Sequence, residues 1–200
     1  MKRFLLPILA AGLISFGATA PSTASAAEWT IDGSHSQVGF KIRHLAISWV
    51  RGEFGKAEGK IQLDPAKPGE LAVDITIETA SIDTRDVKRD EHLRSPDFFD
   101  TANFPAMTFK TTKAKSSKKG IELVGDLTIR GVTKEVTLAL EPFSPVVSDP
   151  WGNVKIGTTA TAVIDRTDFG LTWNKALETG GLLVGHDVHI ALEIELGQKK

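Results

Sequence analysis

The sequence predicts an all-β protein: an elongated, closed barrel of about eight antiparallel strands, with one short helical segment near residues 84–95. After residue 27, apolar and polar side chains alternate with the two-residue period of a strand, and glycine or proline turns interrupt the alternation. One charge-dense stretch, residues 82–109, departs from this pattern and supplies the helical segment. Hairpin-connected strands in this number favour an up-and-down barrel over a sandwich, because closure removes exposed strand edges.

The most regular strand patterns can be assigned from parity. In residues 35–44 and 71–78, apolar residues share one face and polar residues share the other. We predict further strands at residues 48–54, 58–63, 107–114, 121–129, 136–140, 154–165 and 188–196. Turns are expected at Asp64-Pro65, Lys119-Gly120 and Arg130-Gly131.

The interior of this barrel is predicted to be an open apolar space. Residues 154–165 place Thr158, Ala160 and Ala162 on the inner face, where a filled core would require leucine or phenylalanine. A barrel of about eight strands either fills its interior with side chains or holds one small ligand. Strands of about nine residues give a length of roughly 30 Å, which suits an elongated guest.

The N-terminus has the features of a secretory signal peptide. Lys2 and Arg3 precede an apolar run over residues 4–16, and Ala24-Ser25-Ala26 provides small residues for cleavage. The run is shorter than the roughly 20 apolar residues that a membrane-spanning helix requires. We therefore predict a cleaved signal peptide at residues 1–26, a single domain at residues 27–200, and export to the periplasm or secretion.

Composition excludes several classes of function. The chain has no cysteine, so a disulfide framework, a thiolate metal site and a cysteine nucleophile are ruled out. The 24 Lys and Arg residues nearly balance the 25 Asp and Glu residues, which gives no reason to expect a nucleic-acid partner.

The helical segment is marginal as a free helix and is expected to depend on its surroundings. Asp83 and Asp86 resemble a capping box, Pro96 ends the helix near Ser95, and Asp90 is spaced to pair with Arg94. The phenylalanines that follow are predicted either to plug the core or to form one wall of an apolar site; they are Phe98, Phe99, Phe104 and Phe109.

Catalytic and metal motifs are weak. His186 and His189 are three residues apart, which places them on opposite faces of a strand, and His92 lacks the HExxH spacing of a zinc helix. Serine-nucleophile and phosphate-binding motifs are absent from the sequence. Asp165 and Asp168 are interpreted as turn formers. A histidine and carboxylate metal site assembled from distant strands remains an alternative.

Four stretches resemble the YceI-like family of polyisoprenoid-binding periplasmic proteins. They are WTIDGSHSQVGFKIRHLAISWVRGEF, IETASIDTRDVKRDEHLRSPDFFDTANFPAMTF, GDLTIRGVTKEVTL and DRTDFGLTWN, which together span nearly all of the chain after residue 27. The resemblance implies a lipocalin-like barrel that holds a long isoprenoid or related amphiphilic lipid. Some relatives are associated with isoprenoid quinones, fatty amides or stress responses. The family implies no catalytic residues.

The function predicted from these observations is an exported carrier of a long-chain lipid, with no catalytic residue, no metal and no cofactor besides the lipid ligand. The lipid tail is expected to contact Phe40, Ile42, Ile75, Ile77, Phe109, Leu138, Ile156 and Ala160. Residues 86–99, which include Phe98 and Phe99, are expected to close the barrel opening, and Phe104 is a further candidate contact. The head group is expected near His44, Arg94 or Trp173.

Two other functions remain alternatives. The first is an enzyme at the barrel mouth that acts on such a lipid through His44 or His92 with a carboxylate. The second is a metal-linked or redox accessory protein. A carrier is also expected to contact membranes transiently when it exchanges its ligand, and a homodimer is an option for its assembly.

Overall fold

The computed structural model describes residues 26–178 and 180–199, so the predicted signal peptide lies almost wholly outside the described residues. Twelve strands and one α-helix, α1 (Val87–Arg94), are found there. The strands are β1 (Ala27–Ile31), β2 (Gln37–His44), β3 (Ser48–Phe54), β4 (Ala57–Leu63), β5 (Ala72–Glu78), β6 (Ile82–Asp83), β7 (Ala106–Ser117), β8 (Gly120–Ile129), β9 (Val132–Leu140), β10 (Val147–Ser148), β11 (Val154–Asp165) and β12 (Val184–Gln198). Short 3-10 helices lie at Pro68–Glu70, Thr79–Ser81 and Arg166–Phe169.

Eight of the strands form a closed antiparallel barrel, as predicted. Their order around the barrel is β1, β4, β5, β7, β8, β9, β11 and β12, and β12 closes the ring by pairing with β1. Closure therefore joins the first strand to the last strand of the barrel. The Arg130-Gly131 turn has both residues at positive φ, which matches the twist of the β8–β9 hairpin.

Strand β12 is the longest of the described strands and pairs with three others. It pairs with β11 over most of its length, with β1 near Leu196, and with β2 near Val188. Between these two partners the chain turns at residues 32–36, where the Ser36 hydroxyl donates to the Glu195 carbonyl oxygen and accepts from the Glu195 N–H. β3 and then β6 extend the sheet beyond β2. The barrel strands vary around the predicted length of about nine residues: β1 has 5, β9 has 9, and β7 and β11 have 12 each.

One end of the barrel is closed by large apolar side chains. Trp29, Leu63, Ile156 and Leu196 are all nearly inaccessible to solvent. The Trp29 indole N–H donates a hydrogen bond to the Leu63 carbonyl oxygen at 3.1 Å, so the polar atom of this buried ring has a partner. Burying each such side chain contributes roughly 1.5–3 kcal/mol. This end is a solid core.

The helix begins later than the predicted capping box. Asp86, and not Asp83, is the N-cap, and its carboxylate accepts from the Arg89 N–H at 3.1 Å. Asp83 instead accepts from the Arg85 N–H, because Arg85 adopts positive φ and turns the chain before the helix starts. The helix ends at Ser95, as Pro96 predicts. No helix within the described ranges is long and apolar enough to cross a membrane.

Candidate ligand-binding cavity

The barrel encloses an apolar cavity of about 460 Å³. That volume lies in the range of small-molecule binding sites, which is roughly 300–1,000 Å³. The cavity extends from β12 residues near the closed end, such as Leu196, to residues at the opposite end, such as His44 and Val184. We call this opposite end the mouth.

The aliphatic and aromatic wall follows from strand parity. Inward-facing residues of β2, β5, β8 and β9 supply it, with every second side chain pointing to the interior. Phe40 packs closely over the backbone of β3, since a Cβ added at Gly52 would lie 2.6 Å from the Phe40 ring. At the middle of β11, the small side chain of Ala160, which is 3 % exposed, takes up little of the interior. Large side chains therefore surround the cavity without filling it.

Segment 84–104, here called the cover, forms one wall of the cavity at the mouth. The Phe99 ring packs edge-on against Phe54, with centroids 5.5 Å apart. Phe98 lies 5.2 Å from Trp173, and the His92 ring contacts both of these rings at 5.0 and 4.8 Å. Of the two roles predicted for these phenylalanines, Phe98 and Phe99 take the role of a wall, because both line the cavity.

Buried polar contacts hold the cover in place. The carboxylate of Asp90, 7 % exposed, accepts from the N–H and the hydroxyl of Thr84 at 2.8 and 2.6 Å. Arg94 donates to the carbonyl oxygens of Ala80 and Ile82, and Arg130 donates to the carbonyl oxygen of Phe98. The predicted Asp90–Arg94 ion pair is therefore wrong, because both groups are bonded to the backbone or side chains of preceding residues.

Polar groups that line the cavity are concentrated at the mouth. They are Arg43, His44, Thr84, Arg89, His92 and Arg166, with Thr158 further inside. Among the residues that the structure describes, no aspartate or glutamate contributes to the lining. The described lining therefore carries positive but no negative side-chain charge.

Arg166 and Thr84 are the most buried of these polar residues, each at 4 % exposure, and Arg166 is the charged one. Its Nε donates to the Gly185 carbonyl oxygen at 2.8 Å, and its Nη1 donates to the carbonyl oxygens of Leu171 and Trp173. Burial lowers the pKa of its guanidinium from the usual value, and the charge of Asp165 partly opposes that effect. The Asp165 carboxylate accepts from the Thr167 N–H and hydroxyl, which hold its pKa below the ordinary value. Asp165 is thus the turn former that the sequence predicted.

Most of the predicted contact residues meet in this cavity. Phe40, Ile42, His44, Ile75, Ile77, Phe98, Phe99, Phe109, Leu138, Ala160 and Trp173 all line it. Ile156 does not; it is packed, 2 % exposed, in the solid core at the closed end. Phe104 does not either; its ring packs about 3.0 Å from where a Cβ on Gly131 would lie. Arg94 is outside the lining and bonded to backbone carbonyls.

Sequence reasoning missed the arginines of the mouth. The inward direction of Arg166 could have been predicted from strand parity. Residues 160, 162, 164 and 166 alternate in the same register, and Ala160 is at the cavity wall. Arg89 had no such signal, since its position depends on how the cover docks against the barrel.

Two polar clusters correspond to the alternatives for metal binding and catalysis. Asp32 and His35 of the 32–36 turn and Glu195 of β12 place ligand-type atoms within 4.8 Å of one another. The Lys155 ammonium already lies 3.1 Å from Glu195 and bonds to Asp32, so the cluster is an ion-pair network around a lysine. At the mouth, His92 Nε2 lies 2.9 Å from Asp97, whose side chain is half exposed.

The fold and the site define a class: a long antiparallel barrel with a solid core at one end, an apolar cavity and a polar mouth. The sequence model of the YceI-like domain matches residues 29–196. A UPF0312 protein of Vibrio cholerae is 36% identical over 174 residues, which cover 86% of this chain and 89% of that protein. Protein YceI of Escherichia coli is 40% identical over 173 residues, 86% of this chain and 88% of its own. The chain belongs to the YceI-like family.

Solved structures share the fold. The crystal structure of the Campylobacter jejuni YceI protein superposes with a TM-score of 0.68 at 36% identity, covering 86% of this chain and 98% of that one. A polyisoprenoid binding domain from Saccharophagus degradans has a TM-score of 0.59 at 15% identity, with the same coverage of both chains. At 15% identity the second likeness supports the barrel architecture alone.

Proposed function

We propose that this protein binds a long-chain amphiphilic lipid, such as a polyprenyl compound, an isoprenoid quinone or a fatty-acid derivative, and carries it through an aqueous compartment. The observation that carries the proposal is the combination of an apolar cavity of about 460 Å³ with charged side chains at one end only. An apolar tail gains free energy by leaving water for such a wall, at roughly 25 cal/mol per Å² of buried surface. A polar head group would remain at the mouth.

The family context supports this proposal. A protein with the same architecture is described as a polyisoprenoid binding domain. The predicted signal peptide at residues 1–26 supports a role in the periplasm or outside the cell, where a carrier would shield a lipid between membranes. Transient contact with a membrane is part of this role, because the lipid must enter and leave the barrel.

Extraction of lipids from the purified protein tests the proposal. The full-length protein is produced with its own N-terminal segment, purified without detergent, extracted with organic solvent and examined by mass spectrometry. We expect a long-chain amphiphile at close to one molecule per protein. A second exported protein, purified from the same cells in the same way, is the control for lipid carried over from the lysate. If neither copurified nor added long-chain lipid binds, the carrier function is wrong.

A further inference from the structure

Arg166 lies at the point where the barrel wall ends and the mouth begins. It follows β11 directly and continues the inward parity of Ala160, Ala162 and Ile164. It lines the same cavity as Ala160 and Ile164 but is a charged side chain with only 4 % exposure. A buried charge of this kind requires a full set of hydrogen-bond partners.

Two of the five N–H donors of the Arg166 guanidinium have no hydrogen-bond acceptor among the described residues. A guanidinium of arginine has five N–H donors, one on Nε and two on each Nη nitrogen. The bonds to Gly185, Leu171 and Trp173 use the N–H of Nε and both N–H groups of Nη1. Both remaining donors belong to Nη2, which is buried and bonds to none of the residues that the structure describes. Unpaired buried donors are rare in native proteins.

The Arg166 guanidinium also has no ion-pair partner among the described residues, although the charge of Asp165 offsets part of the cost of its burial. Within the described residues, no carboxylate lies within 4.0 Å of the Arg166 guanidinium nitrogens, and its three acceptors are neutral carbonyl groups. The neighbouring Asp165 carboxylate bonds to Thr167, and the Asp90 carboxylate of the cover bonds to Thr84. The other charged residues of the described lining, Arg43 and Arg89, are also cationic.

We propose that Nη2 of Arg166 anchors an oxyanion head group, a carboxylate or a phosphate, of the lipid that the barrel carries. The ligand then lies with its tail toward Trp29 and Leu196 at the closed end and its head against Arg166 at the mouth. A planar guanidinium suits both head groups, since it can present two N–H donors to oxygen atoms. This inference rests on the proposed lipid-binding function and adds the class and the orientation of the ligand.

The test compares ligands with one tail and different head groups. Hexadecanoate, hexadecyl phosphate and hexadecane, the last delivered from cyclodextrin, are titrated into lipid-free protein at pH 7.5. Binding is followed by tryptophan fluorescence, because Trp173 lines the cavity. Arg166→Met is compared with the wild type and with Arg51→Met, which removes the same charge from an exposed position on β3 that does not line the cavity.

We expect Arg166→Met to weaken hexadecanoate and hexadecyl phosphate by about 10-fold or more and to change hexadecane by less than about 3-fold. Arg51→Met should leave all three affinities unchanged. Equal losses for hexadecane and the two anions would show that Arg166 only holds the 171–173 loop, and the anchor role would be wrong. If all three ligands bind the wild type but Arg166→Met has no effect on the anions, the anchor role is also wrong while lipid binding stands. If no ligand binds the wild type, the carrier function itself fails.

A second measurement covers the case in which Arg166→Met does not fold. Side-chain guanidinium NMR signals of the wild type are recorded with hexadecanoate and with hexadecane. We expect the Nη signals of Arg166 to shift and slow their exchange with hexadecanoate only. The same spectra for both ligands would overturn the proposal.

Discussion

At the scale of single residues, the best-defined electrostatic feature is Lys155. Its ammonium, with a side chain 17 % exposed, bonds to the Asp32 carboxylate and lies 3.1 Å from Glu195. The bond from Lys155, followed by those from Ser34 and His35, holds the pKa of Asp32 well below its ordinary value. The hydrogen bonds that Lys155 donates to Asp32 and Glu195 raise the pKa of its ammonium group. These residues join β11, the 32–36 turn and β12.

Replacing Asp32 should therefore change the dependence of stability on pH. Because the folded-state pKa of Asp32 is lowered, the stabilisation it provides is present above its unfolded pKa of about 3.9 and is lost as pH falls toward the folded value. We expect Asp32→Asn to unfold more easily than the wild type at pH 7, by about 1 kcal/mol, because water screens this partly exposed network and reduces the value of its charge-assisted hydrogen bonds. The difference should shrink below about pH 4.

Urea unfolding at pH 7, 5 and 3 measures this effect. Asp126→Asn, on the exposed face of β8, is the matched control and should unfold like the wild type at each pH. A difference between Asp32→Asn and the wild type that stays constant from pH 7 to pH 3 would contradict the assigned ion-pair network.

At the scale of elements, the cover is held by polar contacts and not by its own helix. Val87 is 73% exposed, so α1 buries little apolar surface, and eight residues are too few for an independent helix. Its position depends on the Asp90 carboxylate, which bonds to Thr84 at the start of the segment. The cover is therefore the element whose docking a single substitution can disturb.

Asp90→Ala should loosen the cover while leaving the barrel folded. The substitution leaves the buried N–H and hydroxyl of Thr84 without the acceptor they use, which we expect to cost about 2 kcal/mol. Hydrogen exchange of α1 amides should accelerate by roughly 10-fold or more, while β8 and β9 amides, in the barrel, should change much less. Glu91→Ala, exposed and next in the chain, is the control. Uniform acceleration across barrel and cover would show that the two unfold as one unit.

At the scale of the whole molecule, the barrel has an apolar, solid end and a polar mouth at opposite ends of its axis. Trp29, Leu63 and Ile156 form a solid end, and the described cavity residues near the mouth include three arginines. Between them β11 keeps small residues at the wall. If the cavity is the binding site, a large side chain introduced there should displace ligand.

Ala160→Phe provides that test. The added ring should occupy part of the cavity and weaken hexadecanoate binding by about 10-fold or more. The free energy of unfolding should stay unchanged or rise, because the ring buries apolar surface in existing space. Thr161→Phe is the control, because residue 161 is exposed on the outer face of β11. This substitution should leave binding unchanged. Unaltered affinity in a folded Ala160→Phe protein would exclude this cavity as the binding site.

Much of the secondary structure was predictable because a strand with one apolar face has a local signature. The predicted strands at residues 48–54 and 154–165 coincide with β3 and β11. Parity also placed Phe40, Ile75 and Leu138 at the cavity wall. Parity could not separate Ile156, in the solid core, from Ala160, at the cavity, because both have the same inward direction and differ only in depth along the barrel.

The sequence by itself determined the antiparallel barrel, its inward faces and the breaks between strands, since these depend on side chains two residues apart and on local turns. Only the tertiary structure decided which end is solid, where the cover docks and which arginine is left with free donors at the mouth. Those features depend on contacts between positions far apart in the chain, as in the pairing of Ile31 with Leu196. The hydrogen bonds of Arg166 to Leu171, Trp173 and Gly185 exist only once the barrel has closed.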